Sequence, residues 1–348
     1  MTSRHKRLRV ALLAGGRSSE HEISLASARS VLAALDPERY DVVGVEIGRD
    51  GRWQLEPGSL QQSVTSEASG GAAVPVPATD ATPAVLGAVD VVLPILHGPF
   101  GEDGTVQGLL ELLDVAYVGA GVAASALAMD KDLFKKVMRD SGIPVARHHT
   151  IRLGDPVENP FGYPVFVKPA RLGSSVGISK VRDESSLAEA VALARRHDEK
   201  VLVEEFVDGL EVEVGVLGNR VPPPIASLPG SIDTLGHDWY DFESKYDTDG
   251  MQLVVPPDLP EETIELVQRR AVDAFVASEC EGLARVDFFV RSSDGEVIVN
   301  ELNTMPGFTA TSVYAKLFDA SGIGYAELLD RLVDLALERH ERRSKLEY

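Results

Sequence analysis

Two strand-forming runs, LARVDFFV at 283–290 and VIVNELN at 297–303, flank RSSDGE, whose Asp294-Gly295 pair is a strong hairpin signal. This commits the segment to an antiparallel pair. Side chains two apart in a strand share a face. Arg285 and Asp287 therefore look one way, and Glu301 and Asn303 look one way, with Asn300 and Leu302 opposite. Folding about the turn brings Asp287 roughly opposite Glu301 and Arg285 roughly opposite Asn303. Two carboxylates, an amide and a guanidinium then share one patch.

Carboxylates that close repel unless a cation lies between them. Asp, Glu and Asn offer only oxygen ligands, which suits Mg²⁺, an ion that also keeps waters or takes substrate phosphates. No His or Cys cluster stands nearby, which argues against zinc. A solvated hairpin face with one Arg–acid surface pair accounts for the same residues about as well.

The rest of the chain bounds the answer. With 348 residues, two or three domains are expected. The net charge of −20 makes the chain a poor candidate for nucleic-acid binding, which relies on basic surfaces. The basic stretch RHKRLR precedes an apolar run, VALLA, that is too short for a signal peptide or a membrane span. Cys280 is the only cysteine, so there is no intrachain disulfide. A cytoplasmic protein with no membrane partner is expected.

Along the chain, strand-like runs at 8–14, 39–47, 88–96 and 115–119 alternate with helical patterns after Ser18 or Ser19 and at 103–114, so the first part reads as a parallel α/β layer. The Ala-, Ser-, Gly- and Pro-rich stretch 57–87 reads as surface loop. A helix is expected over 121–142, strands over 163–170 and 200–207, and two helices, 260–278 and 325–344, beyond residue 209. The segment 222–251 is rich in turn residues.

Several short stretches carry chemistry. GSSVG, 173–177, lets backbone N–H groups approach a phosphate, and Lys168 lies five residues before it; a plain hairpin turn is the alternative. Lys131 and Lys245 are further phosphate partners by charge. VLVEEFVDGLEVEV, 201–214, joins strand to strand. Backbone groups of Glu204, Glu205, Phe206 and Val207 suit an adenine ring there, and Glu211 suits a ribose hydroxyl, although a simple hairpin fits better on this stretch alone. After the first strand, GGRSSEHEIS offers a helix N-terminus for an anion and Glu20 for an ammonium. Ser18 or Ser19 capping that helix, with Glu22 completing a capping box, is the competing account.

Together, GGRSSEHEIS, HGPFGEDGTVQG, ASALAMDK, VKPARLGSSVG, ESKY, ARVDFFV and NELNTMPG resemble the motifs of the D-alanine–D-alanine ligase family, of the ATP-grasp superfamily, over nearly the whole chain. The resemblance implies an α/β (α+β overall) fold of three subdomains: 1–120, which binds substrate, and 121–208 and 209–348, which grip ATP. It implies two Mg²⁺ ions, with Mn²⁺ able to substitute, on Asp287, Glu301 and Asn303, and phosphate contacts from Lys131, Lys168, Ser175 and Lys245. Glu20 matches the group that holds the first D-alanine's ammonium, and Ser174 and Tyr246 match its partners in a triad. Arg285 and the N–H of Gly307 match the oxyanion donors, Ser312 and Val313 the second substrate's site, and His97 a first-domain active-site histidine.

The implied reaction joins two D-alanines through an acyl phosphate, for peptidoglycan synthesis, in a homodimer. The turn-rich segment 229–249, with Tyr246, is the natural lid over that intermediate. A D-alanine–D-lactate ligase is one alternative, against which the Lys245-Tyr246 pair argues. A non-catalytic ATP-binding regulator is another. It need not keep Asp287, Glu301, Asn303 and Arg285 together.

Overall fold

The computed structural model describes residues 6–55, 86–233 and 252–347. Three sheets organise them. The first has the order β3-β2-β1-β4-β5 and contains β1 (Leu8–Gly15), β2 (Tyr40–Ile47), β3 (Trp53–Leu55), β4 (Val91–Pro94) and β5 (Ala116–Tyr117). All neighbours are parallel except the edge strand β3, as the alternation of strands and helices requires. Most of the stretch 57–87 lies outside the described residues.

The second sheet, order β6-β9-β7-β8, holds β6 (His148–Ile151), β7 (Val165–Pro169), β8 (Ser179–Val181) and β9 (Val201–Glu205). The GSSVG loop joins β7 to β8, its antiparallel neighbour, so it is indeed a hairpin loop, but a long one. The third sheet runs β13-β12-β10-β14-β15, with β11 on β10. Its members are β10 (Gly209–Gly218), β11 (Ile225–Ala226), β12 (Gly230–Asp233), β13 (Gln252–Val254), β14 (Gly282–Arg291) and β15 (Val297–Asn303). Consecutive β9 and β10 belong to different sheets. The stretch 201–214 is therefore not a hairpin. It is the crossing from one lobe to the next.

Two expectations about helices are corrected. The segment 121–142 is two helices, Val122–Met129 and Lys131–Asp140, broken at Asp130, whose ψ is 94°. Asp130 caps the second helix by accepting from the Leu133 N–H at 3.1 Å. Lys131 thus stands at a helix start, and its own N–H donates to Ala170 O, the residue after β7. Beyond 209 there is a third helix, Val313–Ala320, between Glu261–Ala277 and Tyr325–Ser344. The Gly322 φ of 86° ends it, as a glycine past a helix C-terminus commonly does.

One face of the third sheet packs Val212, Val214, Val216, Val286, Phe288 and Leu302 against Val267, Ala271, Ala274 and Phe275 of helix Glu261–Ala277. The strict alternation along β14 leaves Arg285, Asp287 and Phe289 on the other face. The helix Tyr325–Ser344 bridges this sheet, through Leu217 and Leu283, to the first one. Its Leu328, Leu329, Leu332, Val333 and Ala336 share a core with Val10, Leu12 and Leu93 of the first sheet. Among the described residues no helix is long and apolar enough to cross a membrane.

Candidate active site

The hairpin register pairs Arg285 with Asn303 and Asp287 with Glu301. The pairing shifts by one residue between Asp287 and Phe288, since Phe288 pairs with Val299 and leaves Asn300 as a bulge. Arg285 grips Asp287 with both arms of its guanidinium, each at 2.7 Å, and lies 3.0 Å from Glu213 on the neighbouring strand. Asn303 Nδ2 donates to the same Asp287 at 2.9 Å. Burial alone pulls the Arg285 guanidinium toward neutrality. Asp287, Glu213 and Glu301 more than reverse this and hold it charged.

Two lysines of helix Lys131–Asp140 reach the hairpin from the side. Lys131 Nζ donates to Leu172 O at 2.8 Å and lies 3.5 Å from Glu301 Oε2. One helical turn on, Lys135 Nζ lies 2.8 Å from Glu204 Oε2 and donates to Asn300 O at 3.2 Å. Lys168, on β7, takes the other Glu204 oxygen at 2.6 Å. Burial pushes the Glu204 carboxyl up, but the ammonium groups of Lys135 and Lys168 outweigh it and hold it at about 2. Glu204 therefore offers its side chain to lysines, and only its backbone remains for the adenine contact expected of it.

The neighbouring residues of the crossing also commit their side chains. Glu205 accepts from the Arg147 side chain and backbone N–H, both at 2.7 Å. The Lys180 ammonium lies 4.3 Å from the centre of the Phe206 ring. Val207 packs with Ala146 and Ile298. Glu211 pairs with Phe289 across the ladder, on the face that carries Glu213 and Asp287.

The GSSVG loop meets the first sheet. Ser174 donates its hydroxyl to Glu20. Ser174 and Ser175 have φ of 53° and 57°, a left-handed conformation that is uncommon away from glycine and that recurs at functional sites. Glu20 is itself the N-cap of helix His21–Ala34, yet its side chain makes no cap bond. The capping-box reading fails here. Ser18 donates to His97 O at 2.7 Å, and Glu22 pairs with Arg49 at 3.1 Å.

His97 is buried. Its Nδ1 lies 2.9 Å from Met305 O and its Nε2 3.3 Å from Ser27 Oγ. Glu102 accepts from Met305 N at 2.9 Å and Gly98 N at 2.8 Å. The first sheet thus holds the loop that carries Gly307. Phe308 is 1% exposed and anchors that loop between Tyr314 and Tyr325. Ser312 is the N-cap of helix Val313–Ala320 and accepts from Thr309 N at 2.9 Å. Lys245, Tyr246 and most of the expected lid 229–249 lie outside the described residues.

The donors available to a cation are all oxygens. Two carboxylates and an amide, on Asp287, Glu301 and Asn303, fit a hard divalent ion that completes its shell with water and phosphate. Among the described residues no group of three or more His, Cys, Asp or Glu stands together as a metal site, so the set proposed for a cation depends on the amide of Asn303 beside the two carboxylates.

The family profile of the D-ala D-ala ligase N-terminus matches residues 9–120, and that of the C-terminus matches 137–334. The chain belongs to the D-alanine–D-alanine ligase family. A D-alanine–D-alanine ligase A of Mesorhizobium japonicum is 46% identical, over 97% of this chain and 99% of that one. Among solved structures, the D-alanine–D-alanine ligase of Coxiella burnetii is 38% identical with a TM-score of 0.82, covering 97% of this chain and 96% of that one. The VanG D-Ala:D-Ser ligase of Enterococcus faecalis is 32% identical with a TM-score of 0.83, covering 95% and 100%. The architecture is accordingly the mixed α/β, ATP-grasp fold of the D-alanine–D-alanine ligases.

Three residues of this family member's cleft went unread in the sequence: Lys135, Glu213 and Glu102. Each had a local signal. Lys135 follows Lys131 by four positions on one helix face. Glu213 follows Glu211 by two on one strand face. Glu102 lies inside HGPFGEDG itself.

Proposed function

We propose that this chain ligates two D-alanine molecules to D-alanyl-D-alanine, with ATP converted to ADP and phosphate, for the peptidoglycan precursor of the cell wall. The contact of Ser174 with Glu20 carries the reading. It joins an acid that suits an ammonium to a loop of small residues that suits a phosphate. An amino acid held at Glu20 then has its carboxylate beside the terminal phosphoryl group of ATP. The names of the full-length relatives agree with it.

A carboxylate resists attack by an amine because its leaving group would be oxide. Lys131 and Lys168, with N–H groups of the Ser174–Ser175 loop, hold the triphosphate in line with the first D-alanine. Phosphoryl transfer breaks the bond to ADP and forms an acyl phosphate, a step that is mostly positioning and charge neutralisation. Ser312 and the Val313 N–H, at a helix start, hold the second D-alanine's carboxylate. Its amine attacks the acyl carbon, loses a proton and expels phosphate. Arg285, oriented by Asp287 and Glu213, and the N–H of Gly307 donate to the oxyanion. Asp287, Glu301 and Asn303 would hold Mg²⁺, or Mn²⁺ in its place; a cation bound there neutralises phosphate charge.

The same reading has the enzyme work in the cytoplasm as a homodimer, built of units 1–120, 121–208 and 209–348. The test is phosphate release from ATP with D-alanine alone, then with D-alanine and D-lactate, and mass analysis of the product. Release that D-alanine does not stimulate sinks the proposal. A depsipeptide formed in preference to the dipeptide replaces the second substrate.

A further inference from the structure

We infer that Lys135 is a positioning residue of the nucleotide site: it engages one oxygen of Glu204 so that Lys168 keeps net positive charge for a phosphate, and it pins the strand that carries Glu301. The inference rests on the proposed use of ATP.

Lys135 is 0% exposed, so it never meets solvent or substrate directly. Burying an ammonium is costly, and an apolar side chain of similar length would fill the same space without that cost. Its partners suggest what it does instead. Glu204 has two oxygens, and each is occupied by a different lysine, Lys135 at 2.8 Å and Lys168 at 2.6 Å. A lone Lys168–Glu204 pair would be neutral and would attract a triphosphate weakly. Burial pulls the Lys135 ammonium below its ordinary value, with Glu204 opposing and Lys168 adding to the shift. Ammonium groups on both lysines around one carboxylate leave a positive charge, and Lys168, 6% exposed against 0% for Lys135, is the one nearer solvent.

The second half of the inference comes from where the helix lies. Lys131 and Lys135 each touch one group of the central lobe and one of β15. Lys131 joins Leu172 O to Glu301, and Lys135 joins Glu204 to Asn300 O. Asn300 is the bulge residue, and its buried side-chain oxygen has no hydrogen-bond partner among the described residues. Its backbone carbonyl is thus the bulge's link to the lysine helix. One buried ammonium fixes the charge at the phosphate loop and the register beside the candidate metal ligands.

The experiment measures binding of the ATP analogue AMP-PNP with Mg²⁺ by calorimetry, alongside steady-state kinetics, for wild type, Lys135→Met and the double variant Lys135→Met/Glu204→Gln. Lys135→Met should weaken AMP-PNP binding by about tenfold or more, and leave the D-alanine KM within about twofold. In the double variant Lys168 faces a neutral amide, so the positive charge returns and most of the affinity should return with it. A merely structural lysine would lose and regain thermal stability across the two variants while the folded proteins bound AMP-PNP as the wild type does. Wild-type affinity in folded Lys135→Met overturns the inference, as does a double variant that stays weak. If Lys135→Met does not fold, the double variant, which removes the buried carboxylate as well, decides the matter by its affinity alone. Wild-type protein that binds AMP-PNP yet makes no dipeptide overturns the ligase reading and leaves this comparison intact.

Discussion

Asp287 faces Glu301 across the hairpin because β15 carries one residue more than β14 at that point. Phe288 pairs with Val299, Asn300 is left over, and Glu301 takes the place beside Asp287. An unbroken ladder from the turn would have set Glu301 against Val286, on the face covered by the helix Glu261–Ala277. The bulge moves a carboxylate from the core side to the cleft.

That placement makes Glu301 the sharpest test of the metal set. Glu301→Gln keeps the shape and removes the charge. Turnover should fall by about a hundredfold or more, the scale of losing one aimed electrostatic contact. The thermal midpoint should stay near that of the wild type. Phosphate release at saturating Mg²⁺ measures the first and circular dichroism the second. Near-normal turnover would take Glu301 out of the metal set.

Lys168→Ala should raise the ATP KM by about tenfold or more while the D-alanine KM changes little. Lys168 lies on the strand that leads into the GSSVG loop, whereas Glu20 belongs to the first sheet's helix. Initial rates with each substrate varied in turn give both constants. Equal shifts in the two would contradict the assignment.

Arg285 has a structural duty beside its proposed catalytic one. Arg285→Met leaves Glu213, which is 5% exposed, beside Asp287 without its cation, and should destabilise the fold by about 3 kcal/mol. Adding Glu213→Gln should return much of that stability but none of the turnover. Urea unfolding and phosphate release separate the two effects. An Arg285→Met variant as stable as wild type would show that the pair contributes nothing to the fold.

His97 predicts a pH dependence. Burial holds its imidazole below the ordinary value of 6.5, although Glu20 pulls the other way. The folded chain then binds the proton less tightly than the unfolded chain. The stability His97 contributes is complete above about 6.5 and is lost as pH falls below it. The melting temperature should therefore drop more steeply from pH 7 to pH 5 in the wild type than in His97→Asn, which keeps an N–H donor toward Met305 and cannot titrate. Parallel profiles would remove His97 from the account.

How far the site could be read ahead depended on range. That Glu301 and Asn303 share a face follows from a spacing of two, and the sequence is enough. The bulge that makes Glu301 face Asp287 is another matter, because one of its supports, Lys135, stands 165 positions earlier. The break at Asp130 was likewise invisible. No glycine or proline marks it, and the Asp130 cap is joined there by a contact from Lys131 N–H to Ala170 O, just past another strand. The capping box was good local chemistry overruled by tertiary partners, since Ser18 and Glu22 found His97 and Arg49. The crossing at 201–214 looked like a hairpin because nothing local tells a strand which sheet it will join.

The helix Tyr325–Ser344 seals the sheet begun by Leu8–Gly15. A ribosome moving at about 5–20 residues per second would finish the first sheet's strands well before the helix that covers one of their faces. During that interval Val10, Leu12 and Leu93 have only the helix His21–Ala34 to share their core. A fragment cut after residue 120 should therefore be sticky and short-lived, and it should regain solubility when the last helix is supplied as a separate peptide. A sheet begun early in synthesis waits on a helix made about 300 residues later.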